Sequence, residues 1–440
     1  MALLPIAVFL LLYLGLGLLF EYGLGLAMGF YNVPIVAAFL VAILVACLQE
    51  PKVSFDKKMV IMAKSLGDKN ILLMILVFLC AGIFSGILGR TSASAVAYLL
   101  FDYIPAQYAV VVLFGVSAFV SMAMGTSVGT IAVVTPIAIE VSNVAGFGLP
   151  FCVASVIGGS MFGDNLSFIS DTTIAATTTQ GCAMKDKFRM NFAIALPAVL
   201  LTIAFILVSS LNTNVEKIAS ADYSLIQLLP YVLVLILAIV GLNVFVVLLV
   251  GIVSASVVMI ASGELGIMDL MGRLGSGISN MYETIMVAVL VSSLCGLIRE
   301  RGGFAALLDL IRKFFKGYRG GQLGVGLLVS AMDIATANNT VAIVMAAPIA
   351  KQMGKEYGII PKKVASLLDV FGSIVQGILP YGAQMLVAIS AISAAGIKHH
   401  VCVLDIIEHM AYPLFLLICV LVFIFLLPNK QRRRKKAEVG

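Results

Sequence analysis

Two aspartates seven residues apart, Asp164 and Asp171, sit in an otherwise apolar stretch that reads ASVIGGSMFGDNLSFISDTT over 154–173. Asn165, Ser167 and Ser170 fill the interval with further oxygen-bearing side chains. Carboxylates, hydroxyls and backbone carbonyls are the ligands that hard cations prefer. Desolvation favours the neutral form of a carboxyl group, so the same pair can take up protons when no cation is bound. Competition of a cation and a proton for one site needs no covalent step. The rival reading is structural, with the acids capping a broken helix.

A second polar cluster reads TANNTVAIVMAAPIA over 336–350, with Asp333 just before it and Asp369 further on. Thr336, Asn338, Asn339 and Thr340, with Gln376, are candidates for the wall of a cavity. An ionised group at bilayer depth is costly unless paired or hydrated, which makes Asp164, Asp171, Asp333 and Asp369 functional candidates. For Asp333 and Asp369 a role as a buried partner is equally open. Glu140 and Glu283 fall nearer the ends of apolar runs and read as interfacial. His399 and His400 read as surface residues of an outer loop, with pH sensing as the alternative.

These residues need elements to hold them, and the composition says which. Of the 440 residues 61% are hydrophobic and only 11% charged, against about 25% charged in soluble domains. Apolar runs of about 20 residues recur along the whole chain, each long enough to span the hydrocarbon core. Residues 2–20 have no basic region before them and no A-x-A-like cleavage site, so they read as a first span. The seven cysteines form no C-x-x-C pair and read as small hydrophobes. The net charge of +6 does not imply nucleic acid, because six basic residues crowd the last eleven positions after the final apolar run. That is a membrane-flanking tail.

The parts occur twice in the same order. TSVGTIAVVTPIA (126–138) resembles TANNTVAIVMAAPIA (336–350) at an offset of 210, with a two-residue insertion before the shared Pro-Ile-Ala. About twenty residues later, 154–173 aligns with ASLLDVFGSIVQGILPYGAQ (365–384) at an offset of 211. Amphipathic stretches 51–70 and 263–283 also correspond. Gly125, Thr126, Ser127 and Thr130 sit in mid-run, as do Asn338 and Asn339, and irregular backbone at that depth must be buried or line a wet cavity. Paired interruptions in two halves are the best sequence pointer to a transporter's central site.

The expected fold is all-α and polytopic, with two inverted-topology repeats over 1–212 and 222–428 and a basic tail at 429–440. Each repeat holds a re-entrant hairpin (105–142, 322–352) and a broken helix (151–180, 364–394), and about ten helices cross in total. Five crossings per repeat, with the C-terminus in the cytoplasm, put 24 of the 28 basic residues inside and only Arg90, Lys217, Arg273 and Lys398 outside. Exchanging the roles of hairpin and broken helix would put the four lysines of 351–363 outside, against the positive-inside rule.

The tip ANNTVAIVMAAPIA resembles the S-N-T-A-T…L-P-I hairpin tip of the divalent anion/sodium symporters. More specifically, Gly163-Asp164…Ser167…Ile169-Ser170-Asp171-Thr172-Thr173-Ile174 is similar to the G-D-x-x-S-P-x-S-D-T-T segment of the NhaC-type sodium/proton antiporters, with Phe168 in place of the usual proline. The resemblance implies secondary active transport by alternating access, with Na⁺ and H⁺ as the partners and no cofactor. The expected Na⁺ and proton site is Asp164, Asp171, Asn165, Ser167, Thr126, Ser127 and Thr130, with Asp164 and Asp171 as the charged ligands. At an offset of 211, Val375 and Gly382 replace these two acids, so the second half is expected to complete a cavity for proton or substrate. A sodium- or proton-coupled carrier of an amino acid or small carboxylate is the alternative cargo. A channel fits inverted repeats less well. An intramembrane protease lacks its Tyr-Asp aspartate here, and no H-E-x-x-H occurs. The expected location is the inner membrane with both termini cytoplasmic; the oligomeric state stays open, a homodimer among the options.

Overall fold

The computed structural model describes residues 3–24, 33–168, 170–211, 213, 224–240, 242–303, 313–396 and 401–426. The basic tail, His399, His400, Lys217 and Lys398 lie outside them. Among the described residues the chain is helical without strands. Among the described residues eight segments are long and apolar enough to cross a membrane, and shorter apolar helices accompany them. The chain is an all-α, multi-pass membrane protein.

Four helices around each of two breaks position the polar residues. In the first half α1 (Ala109–Met124) turns at Gly125 into α2 (Ser127–Ala145), followed by α3 (Leu149–Leu166) and α4 (Asp171–Gln180). In the second, α5 (Gly317–Thr336) turns into α6 (Asn339–Tyr357), followed by α7 (Pro361–Ile378) and α8 (Ala383–Ala394). Both hairpins turn by the same device. Gly125 has φ +69° and Ala337 φ +48°, and each is followed by an extended residue that caps the next helix. Thr126 Oγ1 accepts from Gly129 N at 3.4 Å, and Asn338 Oδ1 accepts from Val341 N at 3.0 Å. The left-handed turn is free for glycine but costs an alanine about 1–2 kcal/mol. Ala337 is the one described non-glycine residue that bears it.

The two sets keep one register, and it is neither of the expected offsets. The last three second-half helices begin 212 residues after their counterparts, as Asn339 follows Ser127 and Ala383 follows Asp171, and α5 ends at Thr336, 212 residues after Met124 ends α1. Pro136 and Pro348 sit in α2 and α6 at the same register, so no two-residue insertion separates tip from proline. The sequence match at 210 aligned the threonines but slipped the tips. Asp164 therefore corresponds to Gln376 and Asp171 to Ala383, in place of Val375 and Gly382.

Helix α3 lies against α1 because glycine removes the side chain between them. A Cβ on Gly159 would run into the Phe114 carbonyl, and one on Gly163 into the Ala118 carbonyl. The breaks have different causes. Leu379 is extended ahead of Pro380, as the clash with a proline ring requires. In the first break Ser167 is extended and its Oγ donates to the Met122 carbonyl at 2.7 Å, an alternative to the helix. Phe168 is 48% exposed there and stacks on Phe188 at 4.5 Å.

One expectation fails on burial. Glu140 is interior, only 4% exposed, because Ser94 Oγ supplies a hydrogen bond of 2.9 Å to its carboxylate. Glu283 is exposed. Three lysines counted on the inner face fold back into protein. Lys58 donates to the Cys47 and Glu50 carbonyls, Lys363 lies over the rings of Tyr318 and Phe423, and Lys187 reaches an internal carboxylate.

Candidate functional site

A cavity of about 320 Å³ opens where both hairpin tips meet both helix breaks. From the first half come Thr126, Ser127, Asp164, Ser170, Asp171 and Thr172; from the second come Asn338, Asn339, Thr340, Gln376 and Gln384. Under the shared register Ser127 faces the cavity as Asn339 does, Asp164 as Gln376, and Thr172 as Gln384. The starts of α2, α4, α6 and α8 all border it. Unpaired N–H groups at such starts make them polar and attractive to negative charge.

Asp164 is the buried acid of this wall, 7% exposed in the last turn of α3. Ser170 Oγ donates to its Oδ1 at 2.6 Å across the break, and Ser127 Oγ donates to its Oδ2 at 3.1 Å from the hairpin tip. Gln384 Nε2 in turn donates to Ser127 Oγ at 2.7 Å. Asp171 is exposed to the cavity at the first turn of α4. The amide oxygens of Gln376 and Gln384 are buried, belong to residues of the same wall, and have no hydrogen-bond partner among the described residues. The side chains that hydrogen-bond Asp164 are hydroxyls, and with its carboxylate and the two free amide oxygens they form an oxygen-rich set that suits a hard monovalent cation.

The remaining expected residues lie elsewhere. Asn165 donates from Nδ2 to the Tyr412 hydroxyl at 3.2 Å, and Thr130 is fully buried with its hydroxyl on the Thr126 carbonyl. Ser167 holds the break to α1. These three support the wall from behind. Thr336 borders smaller neighbouring cavities, and its hydroxyl donates to the Asn338 carbonyl at 3.0 Å. Asp333 is fully buried, with both carboxyl oxygens unpartnered among the described residues. Asp369 is also away from the cavity, paired with Lys187 at 2.6 Å. Sequence reasoning missed Gln384 and Lys187. The correct register pairs Gln384 with Thr172, inside the quoted motif, and would have found it. Lys187 reads as one of several loop lysines, and only tertiary structure distinguishes it.

Residues 3–211 match the Na⁺/H⁺ antiporter family, and residues 208–428 match it a second time. Among curated proteins, the malate-2H⁺/Na⁺-lactate antiporter of Bacillus subtilis (strain 168) is 24% identical over 320 residues. That alignment covers 69% of this chain and 65% of the relative, just under two thirds of its length. The Na⁺/H⁺ antiporter NhaC of the same organism is 22% identical over 390 residues, covering 81% of this chain and 82% of the relative. Among solved structures, the Alcanivorax borkumensis YdaH transporter aligns with a TM-score of 0.46 at 14% identity, covering 84% of this chain and 87% of that one.

Proposed function

The chain belongs to the Na⁺/H⁺ antiporter family, and we propose that it exchanges sodium ions for protons by alternating access, with Asp164 as the carboxylate the two compete for. One observation carries this: Asp164 ends a broken helix on a cavity wall, held by hydroxyls from the tip and from beyond the break. Proton and Na⁺ occupy the same oxygens, so the two cannot be bound together, and exchange is coupled when the site changes face only with one of them bound. Asp171 serves as the outer, more exposed ligand. The second half has the uncharged Gln376 and Ala383 where the first has its two acids, so one charged site serves the whole chain. Proteoliposomes loaded with a pH-sensitive dye test the reading, with Na⁺, Li⁺ and K⁺ added in turn. Proton efflux driven by Na⁺ is the expected outcome; no proton movement with any of the three defeats it.

The cavity volume supports a second reading. About 320 Å³ has room for roughly ten waters at about 30 Å³ each, more than one ion needs. With four helix starts and Asn339, Thr340, Gln376 and Gln384 on its wall, the cavity also fits a small carboxylate or amino acid coupled to the ion. Uptake of labelled amino acids and dicarboxylates by the same liposomes separates the two cargoes.

The units 1–212 and 222–428 act as inverted repeats, with re-entrant hairpins, both termini cytoplasmic and residence in the inner membrane. The same order of four helices at a constant register, with α2 and α6 of equal length and α3 and α7 of equal length, supports the duplication. That this layout assigns 24 of the 28 basic residues to the cytoplasmic side supports the orientation, although Lys58, Lys187 and Lys363 among them fold back into the protein.

A further inference from the structure

Behind the cavity wall lies a second polar centre that the exchange at Asp164 does not use. Lys187, in the helix Met184–Leu211, places Nζ 2.6 Å from Asp369 Oδ2, and each side chain is 1% exposed. The same ammonium donates to Thr173 Oγ1 at 2.6 Å and to the Asn165 carbonyl at 3.2 Å. An ammonium has three protons, and these three oxygens take them all. Asn191, one turn along the same helix, donates to Asp369 Oδ2 at 2.6 Å and to the Asn165 carbonyl at 3.0 Å. Ser366 Oγ fixes its other amide atom at 2.6 Å.

One of the three oxygens is a carboxylate, one a hydroxyl, and one a backbone carbonyl at the end of a half-helix. Unwound carbonyls at such ends are what transporters use to hold sodium. The Asn165 carbonyl is available because the chain leaves the helix within two residues, at the extended Ser167. The three come from both sides of the first break and from the other half of the chain. Without the ammonium they would form an oxygen cage of single negative charge, sized by 2.6–3.2 Å contacts to a monovalent cation.

We propose that this cage is a second cation site, filled in this chain by the tethered ammonium of Lys187, so that the protein binds one sodium ion fewer than its oxygens could hold. The side chain keeps the cage occupied in every state of the cycle, and the half-helices bearing Asp164 and Asp171 stay joined to the second half whether or not ions are loaded. For its place in the cycle this rests on the break being the exchange site. The test is a count of ions and stands apart from it.

Full-length protein purified in detergent is titrated with radioactive sodium, and bound Na⁺ per chain is compared for the wild type, Lys187→Met and Lys187→Met/Asp369→Asn. Lys187→Met is expected to bind one Na⁺ more than the wild type, and the double variant to return to the wild-type count. Equal counts in the wild type and Lys187→Met overturn the proposal, as does a double variant that retains the added ion. If Lys187→Met does not survive purification in choline, the cage predicts monodisperse protein when Na⁺ replaces choline at equal ionic strength. Failure of that rescue also overturns it. Asp164→Asn distinguishes this proposal from the exchange reading: it removes an ion from the wild-type count and leaves the Lys187→Met increment in place. A wild type that binds no Na⁺ defeats the exchange reading while the increment is still measured.

Discussion

Gln384 and Ser127 are joined by a 2.7 Å hydrogen bond, Nε2 to Oγ, and through it the second half of the chain reaches the carboxylate of the first. Ser127 uses its own proton on Asp164 Oδ2 at 3.1 Å. The amide thus fixes which way the serine points, and its buried oxygen is left without a partner among the described residues. An unsatisfied buried carbonyl costs about 1–3 kcal/mol, a penalty that a bound cation relieves. Gln384→Leu should raise the KM for Na⁺ about tenfold, equivalent to about 1.4 kcal/mol, with a smaller change in kcat. An unchanged KM in dye-loaded liposomes would assign the amide to packing alone.

Asp164→Asn retains the shape and hydrogen-bonding capacity of the side chain but neither holds a full charge nor titrates. The variant should insert normally and lose Na⁺-driven proton movement. The same competition sets a pH dependence in the wild type. As pH falls, protons occupy more of the carboxylate, so apparent Na⁺ affinity weakens, by up to about tenfold per unit in the limit of simple competition. Exchange at wild-type rates in Asp164→Asn would move the ion site to Asp171.

Asp369 lies outside the cavity, so its loss should be felt as stability. Asp369→Asn leaves the Lys187 ammonium buried with no anion beside it, a change that costs about 3–5 kcal/mol when one partner of a buried pair is removed. Asp369→Asn/Lys187→Met removes both charges and should recover most of that loss. Thermal unfolding of solubilised protein measures both; a single variant as stable as the wild type would mean the pair is not a stabilising unit.

Gly163 stands one residue before Asp164, and its role is contact. An alanine there would press its methyl into the Ala118 carbonyl and against Met122 N, so α3 and α1 must move apart. Gly163→Ala should destabilise the fold by about 1–3 kcal/mol, the usual cost of overpacking. It should also weaken exchange by shifting Asp164. Full stability in unfolding assays would contradict the close approach.

What the sequence made legible is what repeats or carries charge out of place. The hairpins and breaks are visible because Gly125, Asn338, Pro380 and the Asp164 segment interrupt apolar runs, and lipid tolerates no such interruption. Their bounds moved by several residues, since capping at Thr126 and Asn338 decides where helices begin. The register was not legible from identities: Thr130 and Thr340 align by letter at 210, while the folded halves hold 212 because turn geometry pairs Gly125 with Ala337. Nor was the fate of charges visible one residue at a time. Lys187 differs from Lys185 only in the direction its helix turns it, towards Asp369 and Thr173.

The constant register gives the topology its sharpest test. Asn143 and Lys355 occupy equivalent places, 212 residues apart near the ends of α2 and α6, and both are exposed. In a parallel duplication the two would face the same side of the membrane. Inverted units put them on opposite sides, and the distribution of basic residues assigns Lys355 to the cytoplasm. The seven native cysteines are free, so all can be replaced without breaking a bridge, and half-buried Cys47, Cys182 and Cys419 must be. On that background an impermeant maleimide should label Asn143→Cys in intact cells and Lys355→Cys only after permeabilisation. Labelling of both from the same side would make the units parallel. Labelling of Lys355→Cys alone in intact cells would keep the inversion and reverse the orientation of the whole chain.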